Sequence, residues 1–299
     1  MPPVFRPLTL GDRDLVTSYV RAAGLASCMY NFAQIYANQP LYAYELAEHD
    51  GHLFIFNAFR GKHYFPLGAA ATPENLLNWS RQLGGVAFHY APGAAADGFE
   101  VSSDEGDFEY IYATRALAEL SDSAFRKKRN LVLAFQKVHP DASARALTAQ
   151  DVGACLALMQ DWGTSRRQPD EADAFFNECI AIEATGMRYA LDHFEALQLD
   201  AFGLFVGDRL VAFDVFSGPV DSLIHVTYEK YDVTVPNCVP ILRKLAARYL
   251  LDQGYEAFNF GRDIGLPGLR KSKRAYHPQR MLRTHTLTPL SVARLEVNV

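Results

Sequence analysis

The sequence predicts an α+β protein of two modules in tandem, each a mixed, mostly antiparallel sheet flanked by helices. Three observations carry this expectation. The chain has 299 residues, enough for two cores of about 150 residues each. Near its middle stands His139-Pro140-Asp141, a break that no helix runs through. The order of periodic segments before the break, two helices, a hairpin, a helix and a strand, returns after it. The expected modules are residues 1–138 and 143–299, with no repeat visible residue by residue.

In the first module Asp12 is a candidate N-cap for a helix in which Leu15, Val16, Tyr19 and Val20 recur at helical spacing, and Gly24 ends it. A short helix at 27–37 sets Met29, Phe32, Ala33 and Tyr36 on one side. Strands at 42–47 and 52–59 meet across His49-Asp50-Gly51 as a hairpin. A helix at 73–83, a strand at 86–89, a loop at 91–98, a β-prone stretch at 109–113 and a helix at 123–138 follow. In the second module Thr148 is a natural N-cap for a helix at 149–162, with Val152, Cys155, Leu156 and Met159 facing inward. A helix at 171–185 comes next, then a hairpin of 199–206 and 209–217 across Gly207-Asp208. A strand at 223–228, a helix at 237–251, a strand at 256–258 and a last strand at 282–287 complete the chain.

Composition narrows the function classes. Hydrophobic residues make up 49% and charged residues 21% of the chain, as in an ordinary globular protein. A net charge of −5 argues against general DNA binding, and cations gathered in two places argue for a local anion site. The four cysteines, Cys28, Cys155, Cys179 and Cys238, have no zinc-ligand spacing and are expected as reduced thiols in a cytoplasmic protein. No signal segment and no apolar run near the roughly 18 residues of a membrane span is visible. No metal and no cofactor is expected, since there is no P-loop, HExxH, Ser/His/Asp set or dinucleotide fingerprint.

The chemistry concentrates in residues 258–278. Gly261, Gly265 and Gly268 are expected in tight turns, because glycine alone reaches φ > 0 without a steric cost. Pro267-Gly268 reads as a helix start. A helix over 266–274 puts Arg270 and Arg274 on one face with Lys271 and Lys273 beside it, which is either an anion site or a solvated basic helix. Asp263 with Arg262 and Arg270 makes either an ion pair that shapes the turn or a clamp on substrate. His225 and Glu229 share a strand face at i,i+4 and form either a proton-accepting pair or a satisfied polar pair. Lys127, Lys128, Arg129 and Asn130 open a helix and either hold phosphates or form its solvated face. Tyr110, Tyr112 and Tyr276 read as core or wall residues.

The same stretch carries a family pattern. Asn259, Asp263, Gly265, Gly268, Leu269, Arg270, Lys273, Tyr276 and Pro278 fit Asn-x-x-x-Asp-x-Gly-x-x-Gly-Leu-Arg-x-x-Lys-x-x-Tyr-x-Pro. A second block, Tyr110-Ile111-Tyr112 with Leu117, Leu120 and Lys127-Lys128-Arg129-Asn130, and a weaker third, Phe65-Pro66-Leu67-Gly68, fit as well. With these the chain resembles the tandem-GNAT proteins that share the C-terminal domain of phosphatidylglycerol lysyltransferases. The resemblance implies two GNAT-like modules and aminoacyl transfer from an aminoacyl-tRNA to an amine or hydroxyl acceptor; with no anchor or amphipathic basic helix visible, a peptide or small-molecule acceptor is expected rather than a lipid. Arg270 and Lys273 are then contacts to an oxyanion or acceptor phosphate, and Glu229 or Asp263 orients the attacking amine or takes its proton. His225, Asn259, Arg262, Tyr276 and residues 127–130 are candidate substrate contacts. Two alternatives stand beside this: an acyl-CoA-dependent N-acyltransferase, and a non-catalytic ligand-binding protein on the same fold. Against the first, residues 230–240 contain no glycine to cradle a pyrophosphate, so no micromolar acetyl-CoA binding is expected.

Overall fold

The computed structural model describes residues 2–93, 96–167 and 174–290. Their strands form two sheets of seven. The first runs, in spatial order, Arg6–Pro7, Tyr44–His49, His52–Asn57, Lys62–Tyr64, Phe88–Ala91, His285–Pro289, Phe99–Ser102. The second runs Ser143–Ala146, Asp200–Val206, Arg209–Val220, Leu223–Tyr231, Ala257–Arg262, Glu109–Ala113, Arg280–Leu282. In both, the first four strands are antiparallel neighbours and the fourth and fifth run parallel. The parallel step needs a crossover, supplied by helix Pro73–Gln82 in one module and Cys238–Asp252 in the other. Both expected hairpins are present, closing at His49–His52 and Val206–Arg209.

The sixth strand of each sheet comes from the other half of the chain. Glu109–Ala113 lies between Ala257–Arg262 and Arg280–Leu282, and His285–Pro289 lies between Phe88–Ala91 and Phe99–Ser102. The last strand expected at 282–287 is therefore two strands, one in each sheet. The sheets do not divide at His139-Pro140. Strand Glu109–Ala113 and helices Thr114–Glu119 and Arg126–Val138 precede that break, and their Tyr112, Leu117 and Phe135 pack with the second sheet.

A residue-level repeat marks the start of each module, contrary to expectation. Arg6-Pro7-Leu8-Thr9-Leu10-Gly11-Asp12 and Arg145-Ala146-Leu147-Thr148-Ala149-Gln150-Asp151 build the same device. In each, the aspartate accepts from the threonine N–H (2.8 and 2.9 Å) and is held by the arginine through two bonds. Asp12 is thus the third residue of a capping box opened by Thr9, rather than the functional N-cap.

One apolar cluster fills the space between the sheets, joining Leu46 and Ile55 of the first, Phe213 and Val215 of the second, and Val16, Ile35 and Met187 of the intervening helices. The neighbouring residues Phe54 and Phe216 turn to the outer faces, as the two-residue period of a strand requires. No helix of the described residues is long and apolar enough to cross a membrane. The four cysteines are free. Part of the loop expected at 91–98 and the start of the helix expected from 171 lie outside the described residues; that helix is seen as Ala174–Asp192.

Candidate functional site

Strands Leu223–Tyr231 and Ala257–Arg262 pair only through Leu223–Ala257, Ile224–Phe258 and His225–Asn259, and then part. The glycine-bearing stretch leaves from this point. Gly265 (φ +77°) holds a left-handed turn, whereas Gly261 (φ +65°) is left-handed inside strand Ala257–Arg262, at its register shift against Glu109–Ala113, and Gly268 lies inside helix Pro267–Arg274 with ordinary φ. Gly261→Ala is expected to cost about 1–2 kcal/mol of stability, and Gly268→Ala to add up to about 1, in urea titrations of the two variants.

Most polar atoms of this stretch are taken by the protein itself. The buried Asp263 carboxylate accepts from Tyr110 Oη (2.6 Å), Gly265 N (2.9 Å) and Arg270 Nε and Nη2 (2.8 and 3.0 Å). Burial pushes its pKa up, but these bonds outweigh it and leave it below the usual value. Arg270 also pairs with Glu105 at 2.9 Å and keeps 27% of its side-chain exposure; Arg274 pairs with Glu105 too. Lys273 is buried, and its ammonium donates to the carbonyls of Phe260 and Arg262 on the parted strand. Burial brings its pKa down to about 7. Arg262 pairs with Asp107 at 2.5 Å. Asn259, fully buried, donates to Ala26 O (2.9 Å) and to Glu109, which also accepts from Ser27 Oγ and Cys28 N. Asn259 and Glu109 thereby tie the second sheet to the 26–28 loop of the first module.

His225 and Glu229 do not share a face. Val226 pairs with Phe216 while Tyr228 pairs with Val215, so Thr227 is an extra residue that shifts the pleat by one. His225 stays in register with Ser217 and Asn259, whose side chains bond Asn31 and Ala26 of the first module. Its Nδ1 has no partner, and burial lowers its pKa to about 4, leaving a neutral ring. Glu229 turns instead to helix Cys238–Asp252, where Arg243 Nε and Nη2 each reach a carboxylate oxygen at 2.7 Å. The Arg243 guanidinium lies 4.5 Å from the Phe260 ring and 4.4 Å from the Tyr276 ring. Lys128 Nζ lies 3.8 Å from the same Tyr276 ring, and burial, then Arg243 and Lys127, lower its pKa to about 8. Beside Glu229, in register on the adjacent strand, is Asp214.

The two cationic clusters, far apart in sequence, meet here. Phe125 packs on His277 at 5.3 Å and Lys128 on Tyr276, which seats the start of helix Arg126–Val138 against the end of the glycine-bearing stretch. Lys127, Asn130 and Lys271 are exposed, and Arg274 keeps 57% of its side-chain exposure. Arg129 is spent on the carbonyls of Leu120 and Asp122. An open hollow of about 460 Å³ is lined by Gly265, Pro267, Arg270, Lys271, Arg274 and Ala275.

Three residues that matter escaped the spacing argument: Arg243, Asp214 and Glu109. Each had a signal. Arg243 follows Ile241 and Leu242 on the inward face of its helix, Asp214 interrupts an apolar strand, and Glu109 opens one directly after Phe108. A lone charge in such a run has to be paired or put to use.

Residues 23–286 match the family model described as phosphatidylglycerol lysyltransferase, C-terminal. Among solved structures, a conserved protein of unknown function from Bacteroides thetaiotaomicron VPI-5482 is similar at 23% identity and TM-score 0.86, over 96% of this chain and 100% of that one. FemX is similar at 10% identity and TM-score 0.59, over 99% of each chain. L-PGS from Bacillus licheniformis is similar at 14% identity and TM-score 0.58, over 96% of this chain and 95% of that one. No curated protein matches the sequence. The chain belongs to the phosphatidylglycerol lysyltransferase C-terminal family, and its fold is the tandem GNAT-like one.

Proposed function

We propose that this family member is an aminoacyltransferase, moving an aminoacyl group from an aminoacyl-tRNA to an amine or hydroxyl of a peptide or small-molecule acceptor. The observation that carries this reading is the meeting of both cationic clusters around Tyr276, next to Glu229 where two strands part. An aminoacyl ester is already activated, so the protein has to position it and steady the developing charge more than supply a strong base. Lys127, Lys128, Lys271 and Arg274, with the exposed part of Arg270, hold the phosphates of the acceptor end. Glu229 orients the attacking amine and takes its proton. Asp263 and Lys273, whose polar atoms are internally bonded, shape the wall of the site and hold the parted strand open.

The loop that would hold a CoA pyrophosphate supports a tRNA donor over acyl-CoA. Its Asp232 carboxylate accepts from Thr234 N (2.8 Å) and Oγ1 (2.6 Å) and pairs with Arg209, so the donors of this turn are already taken. Binding of a fluorescent tRNA acceptor-stem hairpin across a salt series tests the reading. The Lys127→Glu/Lys271→Glu double variant is expected to bind at least about tenfold more weakly, with a salt slope shallower by about two. Equal affinity and slope in wild type and variant would remove the reading's support.

A further inference from the structure

Asp214 is an expensive residue to keep where it is. It stands between Phe213 and Val215 in the middle of strand Arg209–Val220, 2% exposed, and its Oδ1 has no hydrogen-bond partner. A buried carboxyl oxygen without a partner lowers stability, and a hydrophobic residue of similar size would fit an apolar strand better. Its neighbours are unusual as well. Directly across the strand pair is Glu229, and residues so paired lie side by side on one face. Arg243, from helix Cys238–Asp252, grips both Glu229 oxygens, with Tyr276 under its guanidinium and Lys128 beyond that ring. Lys273 and Tyr112 complete the surroundings. Two carboxyl groups thus lie side by side, and the one firmly held cation is bonded to Glu229.

We propose that Asp214 and Glu229 work as a carboxyl pair that carries one proton between them, with Asp214 the protonated inner member and Glu229 the ionised outer one. Glu229 keeps 12% of its side-chain exposure and is the member a substrate can reach. Burial first, and the Glu229 charge second, push the Asp214 carboxyl well above the carboxylate range, against the pull of Arg243. An environment that holds one acid of a pair neutral separates a proton holder from its neighbour. The use of the pair rests on the aminoacyl transfer proposed above; its charge state does not. In the transfer, the acceptor nitrogen forms a bond to the acyl carbon and loses a proton to Glu229. The ester bond to the ribose oxygen breaks, and that oxygen takes the proton back from Glu229. Asp214 keeps its own proton throughout and acts as a positioning residue, steadying the charge change on its partner.

Infrared spectroscopy of the purified protein reads the charge state without any substrate. The expected result is a neutral carboxylic-acid carbonyl band at pH 7 in the wild type that is missing from Asp214→Asn. In Glu229→Gln the band should persist at low pH and vanish at a lower pH than in the wild type, because the neighbouring negative charge is gone. If Asp214→Asn does not fold, this second variant decides. Absence of the band at pH 7, its presence in Asp214→Asn, or an unmoved midpoint in Glu229→Gln would each overturn the pair. With aminoacyl-tRNA, Asp214→Asn is expected to bind the acceptor-stem hairpin as the wild type does and to transfer about 10²-fold more slowly, with a changed pH profile. A wild-type rate and profile in that variant would overturn the positioning role. A confirmed band in a protein that transfers nothing would leave the pair standing and sink the proposed function alone.

Discussion

Arg243→Met is expected to lower the stability by about 3–5 kcal/mol, because it leaves the Glu229 carboxylate largely buried without its cation. Both Arg243–Glu229 contacts are 2.7 Å, and little of either side chain is exposed. Asp214 beside them, held neutral by its burial, supplies no compensating charge. The guanidinium also packs on Phe260 and Tyr276, so methionine keeps some of the lost apolar contact and the charge effect dominates the result. Urea unfolding measures it, and the double variant Arg243→Met/Glu229→Gln should recover most of the loss. A single-variant cost below about 1 kcal/mol would mean that the pair holds little of this region together.

Removal of residues 284–299 is expected to abolish cooperative folding of both modules. The deletion takes away strand His285–Pro289, which pairs on both sides within the first sheet, and the buried Leu287 with it. Phe88–Ala91 and Phe99–Ser102 would then expose their ladders and their apolar faces. The shared core carries the loss into the second module, since Leu46 and Ile55 lie in one cluster with Phe213 and Val215. Circular dichroism during heating provides the check. A truncated protein with a full native spectrum and one sharp transition would show that the exchanged strand contributes little.

What was legible in the sequence is local, and what was not is the meeting of distant segments. Gly207-Asp208 and Asp50-Gly51 announce their hairpins because the turns need left-handed residues. Thr148 announces its helix by a capping box. The exchange of Glu109–Ala113 and His285–Pro289 leaves no local trace, because either strand would look the same in either sheet. The bulge at Thr227 carries no glycine to betray it, and so the apparent His225–Glu229 spacing misled. The site shows the same division. Its cations stood out as clusters, yet their common address depends on Phe125 packing against His277. The charges buried at Asp214 and Arg243 were visible as interruptions of apolar runs, but their partners were not.

Transfer itself is the direct measurement of the proposed function. Total tRNA charged with labelled amino acids is mixed with excess protein, with hydroxylamine as a surrogate acceptor, and aminoacyl hydroxamate is followed in a single turnover. The predicted result is hydroxamate from at least one aminoacyl-tRNA well above the protein-free rate, falling to that background in Glu229→Gln. Background rates with every aminoacyl-tRNA, or a Glu229→Gln variant as fast as the wild type, would contradict it.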